Sequence, residues 1–255
     1  MPLVPKLATI DDLLQGRCGE VAVGDVLAFY GASKVDEFIQ GATKSAISHV
    51  AILMREKADG PFEVLEATGL GVTRTPLAES LAKYDQEQHV CFYLPLVSKS
   101  RALVVPEALA AFYEKNAFDK YNYDGVVEAG IYDLDHPLFD KFLHFFHGRS
   151  LWARLTRRWY RLAGRMSRVW HQVITREPAV RRLFCSQLVT EVLQKVKVLP
   201  VPPKARLVVP VEVCWFDIYA GAYQLNGGAL RPDPFRWGDA PAAQAGKPAP
   251  PAPRA

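Results

Sequence analysis

The chain has 255 residues, is 49% hydrophobic and 23% charged, and carries a formal net charge of +4. That composition excludes a wholly disordered chain, a collagen-like chain and a small disulfide scaffold, and the length suits one large domain or two small ones. A chain this long buries a full core without covalent staples, because the buried fraction of its surface rises with size.

The charge is unevenly placed. Between Arg149 and Arg182 there are ten arginines, no lysine and one acid, Glu177. Elsewhere 21 basic residues face 26 acidic ones, so an acidic body carries a basic insert. Such asymmetry bears on partners rather than on fold. The four cysteines, Cys18, Cys91, Cys185 and Cys214, form no C-x-x-C pair. That argues against a zinc knuckle or redox dithiol and for reduced thiols in a reducing compartment. The opening residues lack the pattern of a secretory leader, and no apolar run reaches the length of about 18 residues that spans a bilayer. The expected location is cytoplasmic, with peripheral attachment to a membrane as its variant.

Taken in chain order, residues 1–17 read as a lead-in with a short helix over Ile10–Leu14, capped by Thr9 or Asp11. A domain is expected from 18 to 225. Val21–Tyr30 reads as a turn and a strand, and Val35–Ile39 as a loop or short helix. Ser48–Arg55 and Phe62–Thr68 read as the two strands of a hairpin. His89–Leu96 is a further strand. Pro106–Asn116 has helical apolar spacing, Tyr121–Asp124 is an aromatic-polar loop, and Pro137–Phe146 is a short helix. Leu151–Ile174 predicts a long helix, stopped by Pro178. Phe184–Lys195 predicts another, with Leu188, Val189, Val192, Leu193 and Val196 on one face. Arg206–Val213 and Trp215–Tyr219 resemble final strands. Residues 226–255 form a tail rich in proline and alanine, expected to be disordered.

The chemistry-bearing residues lie far apart. If the hairpin turns between Lys57 and Ala58, His49 falls opposite Glu66 with both side chains on one face. A carboxylate there orients an imidazole and holds its tautomer. A slip of one residue would put Ala67 opposite instead. Cys185 follows His49 by 136 residues and opens a helix just after Arg181 and Arg182. A helix N-terminus and nearby arginines favour thiolate, and the same terminus offers amide groups to an oxyanion.

These segments occur in a specific order: GDVLAF at Gly24–Phe29, SHVAI at Ser48–Ile52, VLEATGLGVTRTPL at Val64–Leu77 and FCSQLVTEVL at Phe184–Leu193. The set resembles the permuted NlpC/P60 papain-like superfamily, of the YiiX/YaeF amidase type, over roughly residues 20–130 and 180–215. The resemblance implies an α+β fold, a circularly permuted papain-like arrangement with a small antiparallel sheet or open barrel packed on the nucleophile helix. It implies a cysteine amidase or peptidase with Cys185 as nucleophile, His49 as base and Glu66 as orienter, and no cofactor. Tyr121–Asp124 resembles the family's aromatic-Asp segment, which points to Tyr123 and Asp124, with Ser48, as substrate contacts. Gln187 departs from the family's usual acid two places after the cysteine.

Other readings of the same residues stay open. His89, His136, His144, His147 and His171 do not fall at metal-ligand spacing with a carboxylate, so no metal is expected. Cys18, Cys91 and Cys214 are expected to be packing residues. The insert, at about 137–180, carries an apolar stripe of Trp152, Leu155, Trp159, Leu162, Met166, Val169 and Val173. Arg154, Arg157, Arg158, Arg161, Arg165 and Arg168 occupy its other faces. It either packs on its own domain or meets an anionic membrane or partner through residues 150–175, with Trp152 and Trp159 as apolar anchors. Nucleic acid is not expected, since its readers expose stacking residues on a sheet or loop. The substrate is then a small molecule, a peptide or a lipid. The alternatives are a lipid-directed thiol acyltransferase or esterase at a membrane surface, and a non-catalytic membrane-docking protein on the same fold.

Overall fold

Three segments of the chain, VLAFY, HVAILM and VCFYL, are apolar at nearly every position and form strands buried on both faces: β2 (Val26–Tyr30), β3 (His49–Met54) and β6 (Val90–Leu94). Such runs suit strands covered on both sides, where no position faces water and alternation is lost. In the computed structural model, which describes residues 3–31, 36–37, 39–40, 45–57, 59–68, 71–117, 184–200, 203–205, 208–231 and 233–235, they lie together in one sheet. The sheet also holds β1 (Pro5–Leu7), β4 (Glu63–Thr68), β5 (Gly71–Pro76) and β7 (Ala222–Gln224), in the order β1-β7-β6-β2-β3-β4-β5. The β1–β7 pair is parallel and the other ladders are antiparallel. Tyr123, Asp124, the arginine-rich insert and residues 236–255 lie outside the described residues.

Two layers of helix cover the sheet. On one face Val26, Ala28, Val50, Ile52, Met54, Leu65, Ala67, Phe92 and Leu94 meet α5 (Cys185–Lys195) and α4 (Pro106–Asn116). Helix α5 buries Leu188, Val189, Val192 and Leu193 there, worth about 1.5–3 kcal/mol for each fully buried side chain. On the other face Leu27, Phe29, Ala51, Leu53, Val64, Cys91 and Tyr93 meet α1 (Ile10–Leu14) and α2 (Leu77–Gln86). The alternation of side chains along each strand sorts neighbouring residues into these two cores. The result is a mixed α+β protein with α3 (Ser98–Arg101) and α6 (Pro210–Val213) as short connecting turns.

Several expectations hold and several do not. The α1 boundaries are as read, and Thr9 caps the helix in a reciprocal box with Asp12. The lead-in is not separate from the domain, since β1 extends the sheet and Leu13 is fully buried. Residues 210–213 are helical rather than extended. Pro210 at the first position pre-sets the helical φ, and the Glu212 carboxylate accepts the Val209 amide at 2.9 Å. Residues 215–219 make one isolated bridge, Leu96 with Tyr219, and the last strand among the described residues is β7. Strand β5 and helix α2 had no counterpart in the sequence reading.

The hairpin register is also shifted. Ile52 pairs with Leu65, Leu53 with Val64 and Met54 with Glu63, two residues beyond the expected alignment. Pro61 has no amide hydrogen for a ladder and stays in the loop, where the Gly60 amide donates to the Lys57 carbonyl at 3.0 Å. A slip of two residues leaves every side chain on its expected face. His49 and Glu66 therefore still share a face, one diagonal step apart.

A buried carboxylate holds the far end of the sheet. Gly24 has φ +92°, and a Cβ there would lie 2.8 Å from Val104, so glycine is required by both backbone and space. The next residue, Asp25, is fully buried. It accepts the Leu96 amide at 2.8 Å, the Ala22 amide at 2.9 Å, the Tyr93 hydroxyl at 2.5 Å and the Arg101 guanidinium at 2.9 Å. Replacing Asp25 by alanine leaves these four donors facing an apolar gap. Urea unfolding of Asp25→Ala is expected to show a loss of about 3–5 kcal/mol, the usual cost of removing one partner of a buried ion pair.

Candidate functional site

The start of β3, the end of β4 and the N-terminus of α5 converge at the opposite end of the sheet from Asp25. Each position has a local cause. His49 is the first residue of β3, placed where Phe29 ends its pairing with that strand. Ser48 just before it is fully buried, accepts the Gly31 amide at 3.3 Å and donates to the Phe29 carbonyl at 3.3 Å. Those bonds make Ser48 a fastener for the start of β3. The sequence points to Ser48 as a substrate contact; the structure commits its hydroxyl to these two backbone groups.

Glu66 is buried on β4, and its Oε2 lies 2.8 Å from His49 Nε2. The expected pairing of these two side chains is therefore present, although through the diagonal register. The same oxygen accepts the hydroxyl of Tyr84 on α2 at 2.5 Å. Tyr84 was not singled out in the sequence. Its signal is the inner face of α2, where Leu77, Ser80, Leu81 and Tyr84 are buried at helical spacing. The Tyr84 ring stacks on Phe29 at 4.1 Å between centroids and lies at 5.9 Å from the His49 ring, inclined by 30°. Behind it, His89 meets the ring edge-on at 5.2 Å and pairs with Asp36 at 3.2 Å. Gly31 makes that second pair feasible, because a Cβ there would collide with both Asp36 and His89.

Cys185 is the first residue of α5, behind an extended N-cap at Phe184 that offers no side-chain cap. The first turn therefore begins with amides that have no acceptor within the helix. Ser186 donates to the Val208 carbonyl at 2.7 Å and fixes this turn against the chain beyond the helix. Gln187 Nε2 donates to Glu191 at 2.9 Å, so that side chain is committed along the helix.

The electrostatics link the three groups. Burial by itself disfavours the His49 imidazolium. The charge of Cys185, its hydrogen bond to the ring and the Glu66 carboxylate outweigh that and push the His49 pKa up to about 10. Burial also acts against the Glu66 carboxylate, but the bonds from His49 and Tyr84 hold its pKa below the usual range. The dyad is nearly enclosed, with Cys185 1% exposed and the His49 side chain 14%. The other three thiols behave as hydrophobes. Burial pushes Cys91 up to about 12 and raises Cys18 and Cys214.

The arrangement can move a proton between sulfur and imidazole while a carboxylate holds the ring. Of the sequence-derived site residues, the structure brings Cys185, His49 and Glu66 together; Tyr123, Asp124, Trp152, Trp159, Arg154, Arg157, Arg158, Arg161 and Arg165 fall outside the described residues. Among the described residues no group of three or more His, Cys, Asp or Glu is disposed to hold a metal ion, and no helix is long and apolar enough to cross a membrane.

Comparison with protein families and with curated proteins finds no match. Among solved structures, the chain is similar to the metalloprotein YiiX from Escherichia coli O157:H7, with 15% identity and a TM-score of 0.39, over 80% of this chain and 88% of that one.

Proposed function

We propose that the chain is a cysteine hydrolase that cleaves an amide or peptide bond through a thioester. The observation that carries this reading is the Cys185–His49–Glu66 series, with His49 Nε2 at 2.8 Å from the carboxylate and Cys185 near enough to the ring for its charge to raise the imidazole pKa. A nucleophile, a base and an orienter in series are what nucleophilic catalysis by a thiol requires.

The steps follow from these contacts. With the proton already held by the imidazole, the Cys185 sulfur attacks the carbonyl carbon. The carbonyl oxygen takes up the electron pair and is met by amides at the start of α5. As the tetrahedral intermediate collapses, the imidazolium gives its proton to the leaving nitrogen, and a thioester remains. Water then attacks the thioester with the imidazole as base, releasing the carboxylic acid and restoring the thiol. Glu66 stays ionised throughout, because a carboxylate held below its usual range is a poor proton acceptor.

A second reading, a lipid acyl substrate taken from a membrane surface, draws on the basic insert. Its alternation of tryptophan and arginine is the composition of an interfacial helix. The same thiol chemistry serves an ester. A protein that docks without turning over any substrate is the remaining alternative.

Three measurements test these readings. Iodoacetamide should alkylate Cys185 faster than it alkylates glutathione at pH 7, Cys185→Ala should stop that labelling, and His49→Ala should slow it by about 10²-fold or more. Equal labelling of Cys18, or a Cys185 rate no higher than that of glutathione, removes the hydrolase reading. Nitrogen NMR should show the His49 ring titrating near pH 10, and falling in Cys185→Ala, where the thiol's contribution is lost. By linkage, the stabilisation from a raised histidine is whole below its ordinary value of 6.5 and fades as pH rises through about 10. For the lipid reading, the protein should float with anionic liposomes at low salt and lose that binding on charge reversal of Arg157, Arg158 and Arg161. Absence of flotation at low salt rejects it.

A further inference from the structure

We propose that Tyr84 is a positioning residue that clamps the Glu66 carboxylate, so that the His49 ring keeps its second nitrogen turned to Cys185. The proposal rests on the reading of Cys185, His49 and Glu66 as the reacting set, and adds to it a member on a different element.

The geometry is specific. One carboxylate oxygen, Glu66 Oε2, accepts from two directions, the Tyr84 hydroxyl at 2.5 Å and His49 Nε2 at 2.8 Å. Two donors on one oxygen fix the rotation of the carboxylate about its last bond, which a single bond leaves broad. The Tyr84 ring is itself held between Phe29 and the His89 edge, so the hydroxyl has little freedom to leave. Lying nearly parallel to the His49 ring, it also limits how that ring can turn. With Nε2 committed to Glu66, Nδ1 is the nitrogen left for the thiol.

The charge environment makes Tyr84 a permanent donor. Burial, the Glu66 carboxylate and its hydrogen bond, and the more distant Cys185 and Glu87 charges raise its ionisation far above the ordinary phenol range. A donor to an ionised carboxylate withdraws charge from it and lowers its basicity. The imidazolium proton then stays on nitrogen instead of passing to Glu66. The groups around Glu66 are His49 on β3, Tyr84 and Lys83 on α2, and, beyond the imidazole, Cys185 on α5. Around Tyr84 they are Glu66, the His49 ring, Cys185, Glu87, Lys83 and the His89–Asp36 pair.

Tyr84→Phe keeps the stacking and deletes only the hydroxyl. Carboxyl-carbon NMR of labelled glutamate should show the Glu66 midpoint moving upward in pH in this variant. Iodoacetamide labelling of Cys185 at pH 7 should fall about tenfold, the scale of one hydrogen bond to a charged group. In a Glu66→Gln background, adding Tyr84→Phe should change the labelling rate no further. An unmoved Glu66 midpoint overturns the clamp even where Cys185 is reactive, as does a full additional loss in the Glu66→Gln background. A wild-type Cys185 no more reactive than glutathione overturns the hydrolase reading instead, while a moved midpoint still upholds the clamp. Should Tyr84→Phe not fold, the midpoint in Phe29→Leu, which loosens the stack but keeps the hydroxyl, supplies the same comparison: a shift in the same direction supports the clamp and none overturns it.

Discussion

The packing of α5 across β3 and β4 is the constraint on which the rest depends. Leu188, Val189, Val192 and Leu193 are buried against a sheet face formed by Val50, Ile52, Met54, Leu65 and Ala67. That apolar contact sets where the helix begins, and the residue at its beginning is Cys185. The thiol therefore reaches His49 without any bond of its own having to draw it there. Close packing tolerates little displacement, so a helix seated on this face has its first turn held in place. The polar contacts at the site are small by comparison and only orient what packing has placed.

Two buried carboxylates show how differently a protein interior can treat the same group. Asp25 and Glu66 both accept a tyrosine hydroxyl and both face a cation or potential cation. For Asp25, burial dominates and its pKa is raised despite four donors. For Glu66, the imidazole and the Tyr84 hydroxyl outweigh burial and its pKa is lowered. Arg101 keeps part of its charge in solvent, whereas His49 meets Glu66 with both groups almost enclosed. An opposite charge acts more strongly where water cannot screen it. The first carboxylate ties β2 to the end of β6 and the turn beyond, and the second lies against the thiol–imidazole pair. They sit toward opposite ends of the same sheet.

An aromatic column stands behind the site. Phe29, Tyr84 and His89 come from β2, α2 and the approach to β6, and each contributes a flat face or an edge. Flat groups pack closely, and the tyrosine and histidine among them keep a polar atom for a directed bond. Glu66 receives its hydroxyl from this column, and Asp36 pairs with the last member of it. Gly31 leaves room for that pair where any side chain would intrude.

Much of this was legible in the residues. The continuous apolar runs marked β2, β3 and β6, the spacing marked α4 and α5, and Thr9 marked the start of α1. The shared face of His49 and Glu66 was legible because side-chain direction along a strand has period two, and a register error of two leaves it intact. What the sequence could not supply was the register itself, which Pro61 and the Lys57–Gly60 turn decided, or the helix at Pro210, where local capping overrode an apolar run. Tyr84 was invisible because its partner comes from a strand 18 residues earlier and its own segment carried no strand or motif signal. The nearness of Cys185 to His49 was suggested by ordered motifs, but only burial of α5 against the sheet closes a gap of 136 residues. Local patterns follow from short-range sterics and hydrophobic period, whereas contacts between distant segments follow from which apolar faces can be buried against one another, and that is a property of the whole fold.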